Sequence, residues 1–189
     1  MKSGSKWIIG IIVIIVIIFI WGMSGYNGLV SLQQQVDTAE SNIETQLQRR
    51  SDLIPNLVST VKGYAGQEKE IFTDIANARA QLAGAGSIPE QADANAALSS
   101  ALSRLLVVVE NYPELKSSQN FQDLSIQLEG TENRIAIARQ DYNTAVTNYN
   151  TKRRRFPTNI IGNLFGFGTR DYFEASTGAE QVPVVDFNS

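Results

Sequence analysis

Residues 7–23 read WIIGIIVIIVIIFIWGM, and this stretch decides the fold class together with the polar sequence that follows it. No charged residue lies between Lys6 and Asp37. An apolar segment of about 20 residues can cross a hydrocarbon core of about 30 Å as a helix. Trp7 and Trp21 bracket the segment, as expected for rings at the two membrane interfaces. We predict a transmembrane helix over residues 7–25, after a short terminus of residues 1–6.

The same start also resembles a secretory signal, with basic residues before an apolar core. However, the apolar segment is longer than the usual core of about 7–15 residues. Residues 21–25 (WGMSG) form a poor small-x-small cleavage site, and the chain has no cysteine to carry a lipid. We therefore expect an uncleaved anchor.

The placement of basic residues indicates the orientation of this anchor. Lys2 and Lys6 precede the apolar segment, whereas the first basic residue after it is Arg49. Positive flanks stay in the cytoplasm. We expect a single-pass membrane protein with a cytoplasmic N-terminus and its main domain on the opposite side of the membrane.

Composition excludes several kinds of chemistry. The 189 residues include no cysteine and no histidine, and their net charge is −3. Without these residues there is no thiol chemistry and no imidazole base or metal ligand. A net negative domain has no overall attraction for nucleic acid. We expect no catalytic residue, no cofactor and no metal site.

From Tyr26 onward, apolar residues recur at the three- and four-residue spacing of helices. The first stripe is Leu29, Leu32, Val36, Ala39, Ile43, Leu47, Arg50, Ile54, Leu57, Val61 and Tyr64. The last is Phe121, Leu124, Leu128, Thr131, Ile135, Ala138, Tyr142, Ala145 and Tyr149, with coiled-coil or bundle spacing.

Breakers at residues 63–66, 84–87, 113 and 156–157 separate the stripes. We predict an all-α chain, in which the transmembrane helix continues into an antiparallel bundle of about four long helices over residues 26–156. Two topologies stay open. Four alternating helices would return residues 152–155 toward the membrane, whereas one broken return limb would point them away. Residues 157–189 form an irregular glycine- and aromatic-rich tail.

One candidate polar cluster interrupts the apolar stripes. Its members are Arg49, Arg50, Asp52, Glu132 and Arg134. It suits a pocket for an anion or a peptide carboxylate. Alternatively, Arg50 forms an interhelical ion pair with Glu129 or Glu132, because a partly buried arginine needs a partner.

A second candidate set follows the last helix and suits contacts with lipid or with another protomer. It comprises Arg153, Arg154, Arg155, Ile161, Leu164, Phe165 and Phe167. Basic residues can bind anionic lipid, but they also complement the C-terminal end of a helix dipole. The apolar tail residues can instead pack on their own bundle.

The chain resembles the LemA family of bacterial membrane-anchored proteins over nearly its whole length. The matching motifs are YNGLV (26–30), QRRSDLIPNLV (48–58), VKGYA (61–65), ANAR (76–79), ENYP (110–113), ENRI (132–135) and VDF (185–187). The resemblance implies an N-terminal membrane segment, a bundle of long helices and no established enzymatic activity. Some relatives belong to the machinery that shapes magnetosome membranes, which implies a role in membrane organisation.

Together these observations favour a non-enzymatic scaffold that assembles with copies of itself or with other membrane proteins in the lipid bilayer. The alternative is a membrane-tethered sensory module that binds a ligand or peptide near Arg49–Asp52.

Overall fold

The computed structural model describes residues 3–174, with side chains from residue 7 onward. Lys2, the Lys6 side chain and tail residues 175–189, on which part of the orientation and tail predictions rests, lie outside the described residues. Within the described part there are six helices and no strand. They are α1 (Ser3–Lys62), α2 (Lys69–Gly84), α3 (Ile88–Val109), α4 (Pro113–Lys116), α5 (Gln119–Arg154) and α6 (Thr158–Leu164). The predicted all-α fold is confirmed.

Helix α1 is continuous over 60 residues, from the apolar segment into the amphipathic sequence beyond it. Two described helices are long and apolar enough to cross a membrane, α1 and α3. In the most apolar stretch of α1 only 6% of the residues are buried, against 44% in α3. The side chains of residues 7–23 are exposed almost throughout, as in a helix that is surrounded by lipid, whereas α3 belongs to a packed core.

The chain divides into two compact units. The first unit contains Met1–Ser41 and Asp141–Arg170, and the second unit contains Asn42–Gln140 and Asp171–Ser189. Helices α1 and α5 each contribute residues to both units.

The predicted stripes form the interior of the helices. On α1 all stripe members from Val36 to Val61 are buried, while Leu32 is half-buried and Tyr64 lies exposed beyond the helix end. The α5 stripe is buried or half-buried throughout. Helix α3 begins at a capped turn, in which Ser87 Oγ accepts a hydrogen bond from the Glu90 N–H (3.4 Å) and Glu90 accepts one from the Gly86 N–H.

In the second unit, α1 and α2 are antiparallel. Lys62, at the end of α1, lies over the ring of Phe72 near the start of α2. Further back on α1, Ser51 accepts a hydrogen bond from Arg79, which is further along α2. Residues 85–87 then connect α2 directly to α3.

Helices α3 and α5 complete an alternating arrangement in this unit. Asp74 of α2 pairs with Arg104 of α3, and Arg50 of α1 contacts both Ser99 of α3 and Glu132 of α5. With the short connection through α4, these contacts make each successive long helix reverse direction. Of the two topologies left open by the sequence, the second unit has four alternating helices.

In the first unit, α6 packs directly on α1. The Cδ1 atom of Ile161 approaches Gly25 so closely that a Cβ atom there would lie 2.5 Å away, and Leu29 reaches Gly162. Lys152 of α5 passes beside Gly28. The basic C-terminal end of α5 and the helix α6 therefore lie next to the residues of α1 that follow the apolar segment. Helix α6 is a short ordered element in a region that the sequence predicts to be irregular.

Candidate functional site

Arg50 is the central polar residue of the second unit. Its side chain is only 6% exposed. Its Nη1 atom donates hydrogen bonds to Asn95 Oδ1 (2.7 Å) and Ser99 Oγ (3.0 Å) on α3, and lies 2.6 Å from Glu132 Oε2 on α5. One guanidinium nitrogen thus ties α1 to two other helices.

The electrostatics of this contact follow from burial. Desolvation lowers the pKa of Arg50 from its ordinary value, and the charge of Glu132 acts in the opposite direction. An arginine keeps its proton under such conditions, so the guanidinium group remains charged. Because the Glu132 side chain is 46% exposed, solvent reaches one partner of the pair.

A cleft of about 450 Å³ opens beside this ion pair. It is lined by Arg50, Leu57, Ser99, Leu102, Ser103, Leu106, Ser125, Leu128, Glu129 and Glu132. Four leucines give it an apolar wall, and hydroxyl, carboxylate and guanidinium groups give it a polar wall. A cavity of this size and mixture suits a small amphiphilic molecule.

Three buried polar atoms in the lining of this cleft lack a hydrogen-bond partner among the described residues. They are Arg50 Nε, Ser125 Oγ and Glu132 Oε2, the last of which is in ion-pair contact without the geometry of a hydrogen bond. Buried polar atoms are normally paired, so each of these has unused capacity.

A second cleft of about 530 Å³ lies between α1, α2 and the start of α3. Its lining residues are Glu44, Thr45, Leu47, Gln48, Ser51, Leu82, Ala83 and Gln91. Gln91 Oε1 is buried there without a hydrogen bond in the described structure.

The structure separates the predicted polar cluster. It brings Arg50 and Glu132 together, whereas Arg49, Asp52 and Arg134 are exposed. Asp52 accepts a hydrogen bond from Gln48 Nε2 (2.8 Å) on its own helix. Arg50 and Glu132 are therefore the members of that cluster that meet inside the bundle.

The first unit has its own polar ties, which fix the extended residues after α6. Tyr149 donates a hydrogen bond to the carbonyl of Gly168 (2.8 Å). Asn150 donates to the Arg170 carbonyl (2.8 Å) and accepts from the Arg170 N–H (3.0 Å). Arg170 in turn pairs with Asp37 on α1 (2.7 Å).

Burial raises the pKa of Tyr149 from its ordinary value, while the positive charges of Arg170 and Arg153 act to lower it and Asp37 acts to raise it. A neutral Tyr149 is required to donate to Gly168. Its protonation is therefore linked to the docking of this segment.

The predicted lipid or protomer contacts fall into two groups. Arg153 donates to the Phe167 carbonyl (2.6 Å) and to Asn163 (3.1 Å), and Ile161 is buried. Phe167 and Phe165 both contact the ring of Tyr26 edge-on. The second group is exposed and comprises Arg154, Arg155 and Leu164. Phe165 belongs to both groups, because it contacts Tyr26 and is still 59% exposed. Trp7 and Trp21 of the apolar segment are exposed as well.

Six residues of these polar contacts and clefts were not predicted as site residues: Asn95, Ser99, Ser125, Tyr149, Asn150 and Arg170. For Asn95 a signal exists, because a buried arginine needs acceptors and Asn95 adjoins the apolar stripe of α3. For the pair of Arg170 and Asp37, which are far apart in the sequence, no local pattern could have indicated the contact.

An apolar N-terminal helix that continues into a bundle of long helices is a feature of membrane-associated helical proteins. The chain belongs to the LemA family, whose model matches residues 39–187. It is similar to the protein named magnetosome protein MamQ 2 of Paramagnetospirillum magneticum, with 29% identity over 186 aligned positions, covering 85% of this chain and 68% of that protein.

Two further relatives are similar to this chain over comparable fractions of both sequences. Magnetosome protein MamQ of Magnetospirillum gryphiswaldense is 26% identical, again with 85% of this chain and 68% of that protein covered. Protein LemA of Metamycoplasma hominis is 24% identical over 151 positions, which cover 79% of this chain and 69% of that protein.

Proposed function

We propose that this LemA-family chain is a non-enzymatic, single-pass scaffold of the bacterial envelope, which organises the membrane by packing laterally against copies of itself. The relatives that are named magnetosome proteins support a membrane-organising role. The proposal includes an uncleaved anchor, a cytoplasmic N-terminus and a bundle on the periplasmic side of the inner membrane.

The observation that carries this proposal is an unused stripe on the outer face of α5. Ile126 and Ile137 are 67% and 60% exposed, and Gly130 and Asn133 lie between them at helical spacing. The two isoleucines are about 16 Å apart along the helix axis, so this face offers a second helix an apolar contact at each end and a small residue between them.

Gly130 strengthens this interpretation. Glycine inside a helix costs about 1 kcal/mol relative to alanine. A Cβ atom at Gly130 would meet nothing within 4 Å, so the packing of this chain does not require a glycine there. A second helix that approaches the stripe closely would require it, because a missing side chain lets two helices come together.

The polar groups that meet inside the bundle also support a role through contact. Arg50, Asn95 and Ser99 are committed to ties between helices, and the sequence has no histidine or cysteine to supply a base or a nucleophile.

The test is the size distribution of the full-length protein, extracted with its native lipids into polymer nanodiscs and measured by mass photometry. We expect the wild type to form oligomers. The Gly130→Leu variant, and the double variant Ile126→Asp/Ile137→Asp, should form smaller particles than the wild type. Gly130→Leu is the sharper variant, because leucine is a better helix former than glycine and the fold should not suffer.

Val107→Asp is the matched control, since Val107 is 70% exposed on α3, outside the stripe. It should assemble as the wild type does. A wild type that is monomeric in native lipid, or a Gly130→Leu variant that assembles normally, would contradict the scaffold proposal.

The cleft beside Arg50 favours a second candidate function, a membrane-tethered module that binds a small amphiphilic ligand. The apolar part of the ligand would lie on the leucines, and its polar head would use Ser125 Oγ and Arg50 Nε, which lack partners. The Arg50–Glu132 contact would then report the presence of ligand to two helices.

Native mass spectrometry of the full-length protein tests this candidate through co-purified small molecules. Ser103→Phe should fill the cleft and abolish the bound mass, whereas Ser100→Phe, on the same helix but outside the lining, should retain it. No bound mass in the wild type, or equal retention by both variants, would rule this candidate out.

A further inference from the structure

Helix α6 presents two different faces within the first unit. Ile161 and Gly162 are buried against α1. Ile160 and Leu164, one turn apart on the other face, are 56% and 76% exposed. Phe156 and Phe165, just before and just after the helix, are 80% and 59% exposed. Exposed apolar side chains thus lie on the outward side of α6 and beside it, and we call them the α6 face (Ile160 and Leu164, with Phe156 and Phe165 at the two ends of the helix). Phe165 also contacts the ring of Tyr26 with part of its side chain.

The position of this face along α1 indicates what covers it. Ile161 packs at Gly25, two residues beyond Met23, where the apolar segment ends. At 1.5 Å per residue, Gly25 lies about 3 Å beyond that point. The headgroup layer on each side of a bilayer is about 5–8 Å thick. The α6 face therefore lies at the depth of the headgroups of the same membrane that α1 crosses.

The surrounding charges fit the same partner. Lys152, Arg154 and Arg155 are exposed at the end of α5, directly before α6. Lys152 passes beside Gly28, which places this basic end next to the same stretch of α1. An apolar face flanked by basic residues is the pattern of elements that lie in the interface of anionic membranes.

We propose that the α6 face is a second membrane contact, which inserts into the boundary between headgroups and acyl chains while Lys152, Arg154 and Arg155 bind anionic headgroups. The anchor delivers this face to the bilayer, so insertion is intramolecular and does not depend on self-association of the bundle. Arg153 is not part of the contact, because it holds Phe167 and Asn163. The contact fixes the first unit at the membrane surface at two points, the transmembrane helix and α6.

The test uses the absence of cysteine from the natural chain. Single variants Ile160→Cys and Leu164→Cys of the full-length protein are spin-labelled and reconstituted in vesicles of phosphatidylcholine and phosphatidylglycerol. Collision with oxygen and with a water-soluble nickel chelate then reports the surroundings of each label. Ile20→Cys in the apolar segment is the lipid reference, and Val107→Cys is the water reference.

We expect both α6 labels to favour oxygen over the nickel chelate, as Ile20→Cys does. The inward Ile161→Cys label on the same helix should be shielded from both. A response of the α6 labels like that of Val107→Cys would overturn the proposal, because the labels would then be in water. Shielding of the Leu164→Cys label from both reagents would also overturn it, because protein would then cover the α6 face.

Lipid charge provides a second measurement. In the Leu164→Cys background, Arg154→Glu with Arg155→Glu should make the label shallower in anionic vesicles and leave it unchanged in pure phosphatidylcholine. Arg49→Glu, an exposed change in the second unit, should have no effect. If the Leu164→Cys label without the two arginine substitutions lies at the same depth in anionic vesicles and in pure phosphatidylcholine, the proposed binding of anionic headgroups is contradicted.

Discussion

Arg50 Nη1 lies 2.6 Å from Glu132 Oε2, and this contact joins the buried stripe of α1 to α5. Arg50 occupies a position between Leu47 and Ile54 at which the helical spacing of α1 predicts an apolar residue. Its burial costs desolvation, which the ion pair and the hydrogen bonds to Asn95 and Ser99 offset. The contact therefore specifies which helices meet at this level of the bundle.

Arg50→Ala should destabilise the second unit by about 2–4 kcal/mol, because it leaves Asn95 and Ser99 without their donor and Glu132 without its ion-pair partner. Urea unfolding of the full-length protein in detergent, followed by circular dichroism, measures the change. The control is Arg49→Ala, one residue earlier and exposed, which should change stability by less than about 0.5 kcal/mol.

Equal effects of the two arginine substitutions would show that the buried contact contributes nothing. If Arg50→Ala removes a co-purified ligand while the unfolding midpoint is unchanged, the arginine belongs to a binding site and not to the framework of the fold.

Stability of the first unit should fall at alkaline pH through Tyr149. Burial raises the folded-state pKa of this phenol above its ordinary value of about 10. The associated stability is fully present below the unfolded pKa and is lost as the pH rises through the folded pKa. Thermal unfolding between pH 8 and pH 11.5 should show this loss. Tyr149→Phe should be less stable at pH 8 by about 1 kcal/mol, for the lost bond to Gly168, and should show a weaker alkaline decline.

The other tyrosines are the same in both proteins. A difference between the wild type and Tyr149→Phe in how stability falls with pH is therefore due to Tyr149. Identical alkaline declines for the wild type and Tyr149→Phe would mean that ionisation of Tyr149 is not linked to folding.

Asn150→Ala should release the backbone near Arg170. The amide of Asn150 exchanges two hydrogen bonds with the N–H and C=O of that residue, so its loss should cost about 2 kcal/mol locally. Hydrogen exchange of the Arg170 amide should accelerate by about 10- to 30-fold. Asn148→Ala, an exposed asparagine on the same helix, should leave the exchange unchanged. Unchanged protection in Asn150→Ala would show that other contacts hold the segment.

Gly25→Leu should displace α6 from α1, because even a Cβ atom at Gly25 would lie 2.5 Å from Ile161 Cδ1. Overpacking of this kind costs about 1–3 kcal/mol. Hydrogen exchange of the peptide over residues 158–168, which includes the Phe165 N–H bonded to Ile161 O, should become faster. Gly22→Leu, where nothing lies within 4 Å of a Cβ, is the control. Matching exchange in both variants would contradict the close approach at Gly25.

The helices could be predicted from the sequence because the residues that indicate them are close together in the chain. Buried residues such as Val36, Ile43 and Ile54 follow the helical period, and Ser87, Glu90 and Pro89 indicate the start of α3. The candidate site was readable only in part. Arg50 stands out as a charge on an apolar stripe, but its acceptors Asn95 and Ser99 lie on another helix, and the spacing along α1 does not indicate which residues of α3 it reaches.

The sequence alone therefore determined the apolar span, the all-α class and the buried faces of α1 and α5, since these depend on the order and spacing of neighbouring residues. Only the tertiary structure decided that Glu132 meets Arg50, that Arg170 meets Asp37, and that Ile161 rather than Ile160 turns inward. Such pairings depend on how helices rotate and align against one another. That alignment minimises the packing energy of many side chains at once and leaves no trace in any single stretch of the chain.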